Sequence, residues 1–563
     1  MQEMKRTIII FSTVLSLLSC SLKEHMTSYS EPSKYYVSYD KIRTGLNGCY
    51  TPLRAIYASL GFWEMTEVGT DLLYLGSSTQ YNAICAVTPA SPGCATTVWK
   101  NAYQGVSRAN TLIAATENAH AAGRITDNEY SELMAETVVM RAFYYYLLTS
   151  TFGDIPFYTQ EVTEHNKDSI SYLPRMSAHK SREFLVDELM DWLMPADMGG
   201  KEALGLKPTY ADGTTYRAGA AVGLMLAGRM ALWNEDWDRA VDAFSVLEDI
   251  YDPSGVGLEV YPLTDVPFSR KYTPESIWEL PNTYEEYGFR QTTSIAQWTM
   301  PARSKKDIAV EGDEGDVIIE DEVSDIYSGM SIPELGSEPR IYGGVKPTAY
   351  YCRQILPYAS DDLRSGEYSN SASEPRCGSG NLAWRWSGYK YDSQTETLAA
   401  ERTVNFFNSC NGPTTTPYLG NKFWCFDMKN GMDYNNYKIF RYAGAVLGMA
   451  EAYLELDDTD RACRYLNMVR SRAGLDDLTM ADVGNNKRVL MEEIRCEYAR
   501  ELLGEYTRKF DLVRWGVWYE KVLDCNTNST LLAHIRPHHR YWPIPADQVA
   551  ESGGNLHNNE YGE

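Results

Sequence analysis

The sequence predicts a predominantly α-helical protein in which tetratricopeptide-like helical pairs form a scaffold. A long, irregular, loop-rich insertion with short β elements interrupts that scaffold. Three observations predict this fold class. Apolar residues recur at helical spacing in both halves of the chain, and a helical hairpin in the first half has a counterpart in the second. Between the hairpins the composition shifts towards Pro, Gly, Asn, Ser and Thr, which favour turns.

Composition limits the classes of function. The 563 residues are 44% hydrophobic and 23% charged, which is sufficient for a large core and argues against general disorder. The formal net charge is −24, so broad binding to nucleic acid or to anionic lipid is not expected. The 41 Tyr and 13 Trp residues suit both ordinary cores and the stacking of sugar rings.

The N-terminus predicts export and a lipid anchor. Lys5 and Arg6 precede an apolar stretch over residues 7–18, which is too short to span a bilayer and ends in Leu-Leu-Ser-Cys at Cys20. This order resembles a bacterial lipobox, in which the cysteine carries diacylglycerol and an acyl chain such as palmitate. Residues 1–19 are then the signal peptide and 20–39 a polar spacer. The alternative is an ordinary signal peptide with an incidental cysteine.

The first part of the helical scaffold is assigned to residues 40–251. Apolar periodicity predicts helices over residues 99–118, 132–152, 218–233 and 237–250. The second of these should stop at the Gly-Asp-Ile-Pro sequence of residues 153–156, because Gly and Pro both end helices.

The second part of the scaffold is assigned to residues 436–525, with helices over residues 442–456, 459–472 and 487–503. Residues 236–240 and 458–462 share the pattern Asp-x-Asp-Arg-Ala, and small or medium residues upstream also correspond. A repeated hairpin with small residues where its helices cross is typical of tetratricopeptide-like stacks.

The loop-rich insertion spans residues 252–435, with short strands predicted at 276–280 and 403–407, and the C-terminal tail spans 526–563. Loops held by a rigid scaffold commonly carry binding groups, so we expect the ligand site in the insertion.

Metal and cofactor motifs are lacking. No CxxC pair, Walker loop, dinucleotide fingerprint or HExxH occurs, and no cofactor is predicted. His534, His538 and His539 form the only histidine cluster, but Pro537 interrupts it, so a metal site is not favoured. Cys85 with Cys94, and Cys410 with Cys425, are at separations that a disulfide would allow, although the pairing stays open.

Carboxylates between residues 497 and 514 alternate with arginines at helical spacing. Paired carboxylates are typical of glycosidases, but cationic neighbours lower a carboxyl pKa, whereas a general acid needs a raised one. We therefore interpret this cluster as a structural ion-pair network and predict no catalytic residues.

Several motifs in order along the chain resemble the SusD/RagB family of Bacteroidetes outer-membrane glycan-binding lipoproteins. They are Trp99-x3-Tyr103-x2-Val106-x2-Ala109-Asn110, Ala135-Glu136-x4-Arg141-Ala142-Phe143-Tyr144-Tyr145, Phe152-Gly153-Asp154-Ile155-Pro156, Asn467-x-Val469-Arg470-x-Arg472-Ala473-Gly474-Leu475, Phe510-Asp511-Leu512-x-Arg514-Trp515-Gly516 and Pro543-Ile544-Pro545. One departure is Gly504-Glu505-Tyr506, where the family usually has Phe-Glu-Gly.

The resemblance implies a non-catalytic protein on the cell exterior that captures oligosaccharide and delivers it to a SusC-like TonB-dependent transporter. It would contact the membrane only through its N-terminal lipid. The alternative is a secreted glycoside hydrolase on a helical scaffold.

The resemblance also implies where the ligand would bind. Family members collect aromatic rings from the loop after the first Thr-Asp, here Thr70-Asp71, and from the insertion. The corresponding candidates are Tyr74, Tyr81, Tyr284, Tyr287, Trp298, Trp384, Arg385, Trp386 and Tyr389. Flat rings can cover the apolar C–H face of a sugar while polar groups bind its hydroxyls. Each aromatic residue has the alternative of being packed in the core.

Overall fold

The computed structural model describes residues 32–75, 84–202, 206–207, 209, 217–286, 289–300, 309–311, 317–318, 343–357, 361–369, 380–392, 397–405, 417–425, 428 and 432–561. Helices dominate it, as predicted. Those before the insertion are α1 (Pro32–Tyr35), α2 (Tyr39–Tyr57), α3 (Leu60–Thr66), α4 (Cys94–Ala121), α5 (Asp127–Phe152), α6 (Lys167–Ser171), α7 (Ala178–Leu193), α8 (Ala220–Trp233) and α9 (Trp237–Tyr251).

The remaining helices are α10 (Ile295–Thr299), α11 (Tyr442–Glu455), α12 (Thr459–Arg472), α13 (Lys487–Glu501), α14 (Arg508–Arg514), α15 (Trp518–Cys525), α16 (Ser529–His534) and α17 (Ala546–Glu551). Within the described ranges, none of these helices has the length and apolar character needed to cross a membrane.

Twelve strands are described. They are β1 (Leu73–Leu75), β2 (Ser276–Leu280), β3 (Thr283–Glu286), β4 (Phe289–Gln291), β5 (Ala309–Glu311), β6 (Val317–Ile318), β7 (Val345–Pro347), β8 (Ser365–Ser369), β9 (Leu382–Asp392), β10 (Thr397–Asn405), β11 (Tyr418–Leu419) and β12 (Tyr437–Arg441). The largest sheet has the order β11-β9-β10-β5-β6, with β8 parallel to β9. Three antiparallel pairs complete the set: β1 with β7, β2 with β12, and β3 with β4.

Helix α5 lies at the centre of the first half of the scaffold. A capping box begins it: the Glu129 backbone N–H donates to the Thr126 hydroxyl, and the Thr126 N–H donates to the Glu129 carboxylate over 2.8 Å. Nearly every residue from Leu133 onwards is buried, because α4, α7 and α8 surround this helix. It ends before Gly153, whose φ of +71° favours glycine, so the predicted stop is confirmed.

The two hairpins that share a sequence pattern also share a structure. Asp236 caps α9 and Asp458 caps α12, each by accepting the backbone N–H three residues on. Their backbone angles nearly coincide, at φ −92°, ψ 78° and φ −93°, ψ 77°. Ala240 and Ala462 are fully buried in both hairpins. The repeat predicted from the sequence is therefore confirmed, and α9 packs against α11 so that the hairpins stack.

A buried ion-pair network joins the insertion to the second half of the scaffold. Arg364, just before β8, donates to Asp362 and to Glu501 of α13. Arg441, at the end of β12, donates to Glu275 and to Glu501. These side chains are at most about 1% exposed. The prediction that the carboxylates near residue 500 are structural partners of arginine is thus confirmed.

Tyr506 lies where the family usually has glycine, and its backbone is left-handed, with φ of +63°. Such a φ is unfavourable for a residue with a large side chain. Its ring packs 4.9 Å from the Tyr57 ring and stacks on Phe62 at 5.8 Å between centroids. Aromatic packing in the core therefore offsets the backbone strain, and the departure from the family pattern leaves the fold intact.

Cys85 and Cys94 are free thiols in the structure. The disulfide between them that the sequence allows therefore does not form. The Cys94 sulfur lies 3.4 Å from the Ser59 hydroxyl. Cys410, and with it the second possible pair, lies outside the described residues.

Candidate functional site

The predicted ligand-binding residues fall on four described elements. Tyr74 is on β1, Tyr284 on β3 and Trp298 on α10. Strand β9 carries a larger group: Trp384, Arg385, Trp386 and Tyr389. Two others, Tyr81 and Tyr287, lie outside the described residues, as does Cys20.

Strand β7 brings Lys346, a residue that the sequence did not single out, beside Tyr74 on β1. Tyr74 pairs with Lys346 across the antiparallel ribbon. The Lys346 ammonium lies 4.7 Å from the centroid of the Tyr418 ring, a cation–π contact that places β11 against β7. Tyr418 is buried, whereas Tyr74 is half-buried. The β1–β7 ribbon therefore adjoins the first strand of the large sheet.

Trp298 is packed against the same ribbon. A Cβ at Gly344 would lie 3.1 Å from two carbons of the Trp298 indole and 2.9 Å from Leu75 Cδ1. The ring thus lies close to the backbone that leads into β7, and a side chain at position 344 would have to displace Leu75 or the indole. Trp298 is half-buried, so the packing against Gly344 and Leu75 leaves part of its indole ring exposed. The structure therefore brings Tyr74 and Trp298 to one ribbon.

Strand β9 is linked to the β1–β7 ribbon through β11, which pairs with β9 and contacts β7. Ala383 of β9 pairs with Tyr418 of β11, and Trp384 is the next residue along β9. Beyond it, Arg385 and Trp386 pair with Asn405 and Val404 of β10. All four predicted residues of this segment consequently share one strand in the largest sheet.

A β-bulge in β9 falls at Trp384. Along the parallel partner β8, Gly366 pairs with Ala383 but Glu367 pairs with Arg385, which leaves residue 384 as the extra residue. Bulges bend a strand and redirect side chains, and they are frequent beside binding sites. This irregularity has no signature in the local sequence, because it depends on the register between two distant segments.

The Thr70-Asp71 segment is a structural anchor for the site. Asp71 is fully buried and accepts from Arg508 Nε over 2.8 Å. The Thr348 hydroxyl donates to the Asp71 carbonyl over 2.6 Å and so ties the end of β7 to the start of β1. Burial by itself would lower the pKa of Arg508. The ion pair with Asp71 more than compensates, so the pKa is raised above its ordinary value. This buried ion pair holds the β1–β7 ribbon on the helical scaffold.

Glu501 is buried rather than exposed in an open cleft. Burial by itself would raise the pKa of this carboxyl, but the guanidinium groups of Arg472, Arg441 and Arg364 hold it well below its ordinary value. A carboxylate kept ionised in this way is poorly suited to donating a proton to a glycosidic oxygen. The contacts of Glu501 with three arginines are those of a structural ion-pair partner.

Two histidines of the predicted cluster, His538 and His539, contact each other near the C-terminus, whereas His534 is exposed. His538 and His539 have ring centroids 4.2 Å apart, and His539 Nδ1 accepts the Arg536 backbone N–H over 3.0 Å. Among the described residues, no group of three or more His, Cys, Asp or Glu side chains is arranged to hold a metal ion.

Replacing His539 with Asn should remove part of the acid sensitivity of the fold. Burial, together with His538, Lys509 and Arg536, lowers the pKa of His539 from 6.5 to about 3. Below pH 6.5 the unfolded chain binds a proton that the folded protein excludes, so stability is lost as pH falls. The loss is at most about 1.4 kcal/mol per pH unit. Urea unfolding at pH 5 and 7 measures it.

The Asn side chain can still accept the Arg536 N–H but does not titrate, so the difference between the two pH values should shrink. His179→Asn, at an exposed position, is the control. An unchanged pH difference in the His539 variant would contradict the assignment.

Family models match two parts of the chain. The model described as "SusD family" matches residues 274–561, which is more than half of the chain, and the model described as "Starch-binding associating with outer membrane" matches residues 65–182. The chain is also 24% identical to SusD-like protein P25 of Formosa agariphila over 567 aligned residues, covering 97% of each protein.

Solved structures share the fold. A SusD superfamily protein from Bacteroides thetaiotaomicron aligns with a TM-score of 0.63 at 17% identity, covering 94% of this chain and 99% of the other. Surface glycan-binding protein A from the same organism, in complex with laminarihexaose, aligns with a TM-score of 0.62 at 17% identity, covering 92% and 98%. Motifs, fold and family models agree, and the chain belongs to the SusD family.

Proposed function

We propose that this protein binds oligosaccharide at the cell surface and does not transform it. The observation that supports the proposal is the backbone continuity of the β1–β7 ribbon with β11 and β9, since Tyr74 lies on β1, Trp298 lies close to Gly344 before β7, and Trp384 and Trp386 lie on β9. Aromatic residues on such segments are typical of carbohydrate sites, since their rings stack on apolar sugar faces. The relatives named for glycan binding support the same function.

The charge of the chain favours a neutral glycan. With a formal net charge of −24, the protein repels polysaccharides that carry sulfate or carboxylate groups at long range. A neutral oligosaccharide binds through ring stacking and through hydrogen bonds of its hydroxyl groups. The negative charge of the protein does not oppose these interactions.

A binding screen that also measures turnover tests the proposal. Protein lacking residues 1–20 is applied to a glycan array, and the oligosaccharides that bind are then incubated with it. We expect affinity without release of reducing ends, because the buried carboxylates near residue 500 are paired with arginines. Release of reducing ends would favour the glycoside hydrolase, and no binding to any glycan would contradict the carbohydrate function.

Cys20 is proposed as the lipid-bearing residue that holds the protein on the outer membrane, facing the exterior. Changing Cys20 to Ala should abolish acylation, because the cysteine sulfur is the acceptor of diacylglycerol in the lipobox. Metabolic labelling with a palmitate analogue measures this. Cys525→Ala, at a cysteine of the folded scaffold, is the control and should keep its label. Undiminished label in the Cys20 variant would contradict the anchor.

A SusC-like TonB-dependent transporter is the proposed partner. Stacked helical pairs such as α8–α9 and α11–α12 offer extended surfaces for a partner protein. We expect a large β-barrel protein to co-purify from membranes solubilised in mild detergent. Recovery of the protein alone under those conditions would argue against this partnership.

A further inference from the structure

One edge of strand β1 is covered by side chains of the C-terminal tail. Strand β7 lies along the opposite edge, where the Thr348 backbone N–H donates to the Leu72 carbonyl over 2.8 Å. Backbone carbonyl groups alternate sides along a strand, so those of Leu73 and Leu75 face away from β7. Both of these carbonyls accept hydrogen bonds from asparagine side chains that follow helix α15.

Two asparagines separated by one residue make these contacts, and we call the pair the asparagine clasp. Asn526 Nδ2 donates to the Thr70 carbonyl over 2.6 Å and to the Leu73 carbonyl over 3.1 Å. Asn528 Nδ2 donates to the Leu75 carbonyl over 2.7 Å. The two asparagines are only 5% and 8% exposed, so water competes little for these hydrogen bonds.

The backbone of the tail fixes the orientation of both amide groups. Asn526 Oδ1 accepts the Asn528 backbone N–H over 2.9 Å, and Asn528 Oδ1 accepts the Leu531 N–H over 3.0 Å, which caps α16. A backbone N–H only donates and a carbonyl only accepts, so each Oδ1 faces an N–H of the tail and each Nδ2 faces a carbonyl of residues 70–75. Each asparagine therefore joins the tail to β1 through opposite ends of one amide.

The clasp also joins β1 to a hydrophobic cluster of α15 and α16. Val522 of α15 and Leu531 of α16 are fully buried in this cluster. Ile84, the first described residue after β1, is 3% exposed and packs in the same cluster. The connection that follows β1 thus begins at Leu75, which Asn528 holds, and ends on the same two helices.

Tyr74 lies between the two clasped carbonyls. Leu73 and Leu75 are buried and Tyr74 is half-buried, as expected for a strand whose successive side chains point to opposite faces. The Tyr74 side chain therefore points away from the core. Holding the carbonyls on both sides of Tyr74 limits rotation of β1 about its own axis and so fixes the direction of this side chain.

We propose that Asn526 and Asn528 are positioning residues for ligand binding and that they act through Tyr74. They fix the backbone on both sides of Tyr74 before the oligosaccharide binds, so less conformational freedom is lost when its ring stacks on a sugar. Neither asparagine contacts the ligand. The inference rests on the proposed oligosaccharide function, because positioning matters only if Tyr74 contacts the ligand.

Replacing Asn528 with Asp tests the clasp and keeps the helix cap. Aspartate still accepts the Leu531 N–H, but it places a carboxylate oxygen against the Leu75 carbonyl where the amide donor was. Asn528→Ser also keeps a capping oxygen and removes the donor without adding a charge. The matched control is Asn486→Asp, because Asn486 caps α13 by accepting the Arg488 N–H over 3.0 Å and is exposed.

Titration calorimetry with the best glycan from the array compares each variant in two forms of the protein, one with Tyr74 and one with Tyr74→Ala. Where Tyr74 is present, both Asn528 variants should lower affinity by about threefold to tenfold, the contribution of one stacked ring. In the Tyr74→Ala form they should change nothing, because the side chain that they position is gone. Asn486→Asp should leave affinity unchanged in both forms.

Hydrogen exchange of residues 68–75, followed by mass spectrometry, tests the clasp without ligand. Both Asn528 variants should exchange faster there than the unmodified protein, and Asn486→Asp should not. Unchanged exchange, unchanged affinity or an equal loss of affinity in both forms would overturn the positioning role while the binding function stands. If the unmodified protein binds no glycan, the proposed function is wrong and the positioning role is wrong with it.

Discussion

Replacing Glu501 with Gln should lower the free energy of unfolding by about 3–5 kcal/mol. The Glu501 carboxylate accepts from Arg364 over 3.0 Å, from Arg441 over 2.9 Å and from Arg472 over 2.6 Å, and it is about 1% exposed. Removing its charge leaves buried guanidinium groups uncompensated, which is more costly than losing an exposed ion pair. Urea unfolding followed by circular dichroism gives the difference.

Glu493→Gln makes the same chemical change on the same helix, α13, at a partly exposed position. It should alter the unfolding free energy by less than about 1 kcal/mol. If both variants unfold at the urea concentration of the unmodified protein, the network does not stabilise the fold in the way proposed.

Changing Trp384 and Trp386 together to Ala should lower oligosaccharide affinity by a factor of about ten to a hundred. Each ring that stacks on a sugar contributes about 0.5–1.5 kcal/mol beyond the area it buries, and exposed carboxylates contribute less because they remain solvated. Isothermal titration calorimetry with the best glycan from the array measures the loss. The pair Tyr284→Ala and Tyr287→Ala should act in the same direction.

Tyr172→Ala removes a ring that is 52% exposed and lies outside the candidate site, so it should leave affinity unchanged. Melting temperatures of the same samples separate binding from stability. If the four aromatic changes leave affinity intact and lower the melting temperature, these rings belong to the core and the site is wrong.

The helical scaffold is largely predictable from the sequence, because its signals are local. The spacing of apolar residues predicts helix 459–472, which the structure has as Thr459–Arg472, and helix 442–456 differs by one residue from Tyr442–Glu455. Helix α2 is not singled out in the sequence, since Pro52 lies inside it. Strand β10 begins at Thr397, several residues before the predicted strand 403–407.

The candidate site is less predictable, because its geometry depends on pairing between distant segments. The sequence indicates Tyr74 and Trp298, but it contains no signal that Lys346 pairs with Tyr74 or that Gly344 contacts the Trp298 ring. Nor does it indicate the bulge at Trp384, which arises only when β8 and β9 align. Local patterns specify which residues are available, and long-range register decides which of them meet.

The network around Glu501 also has a consequence for how the chain folds. Four of its charged residues, Glu275, Arg364, Arg441 and Glu501, lie in segments far apart in sequence. Arg364 has Asp362 as a local partner, but Glu275 is paired with Arg441 only once the insertion meets the second half of the scaffold, so partial assembly leaves buried charge under-compensated. The docking of the insertion on the helices therefore depends on contacts between residues far apart in sequence, and contacts that close long loops are expected to form slowly.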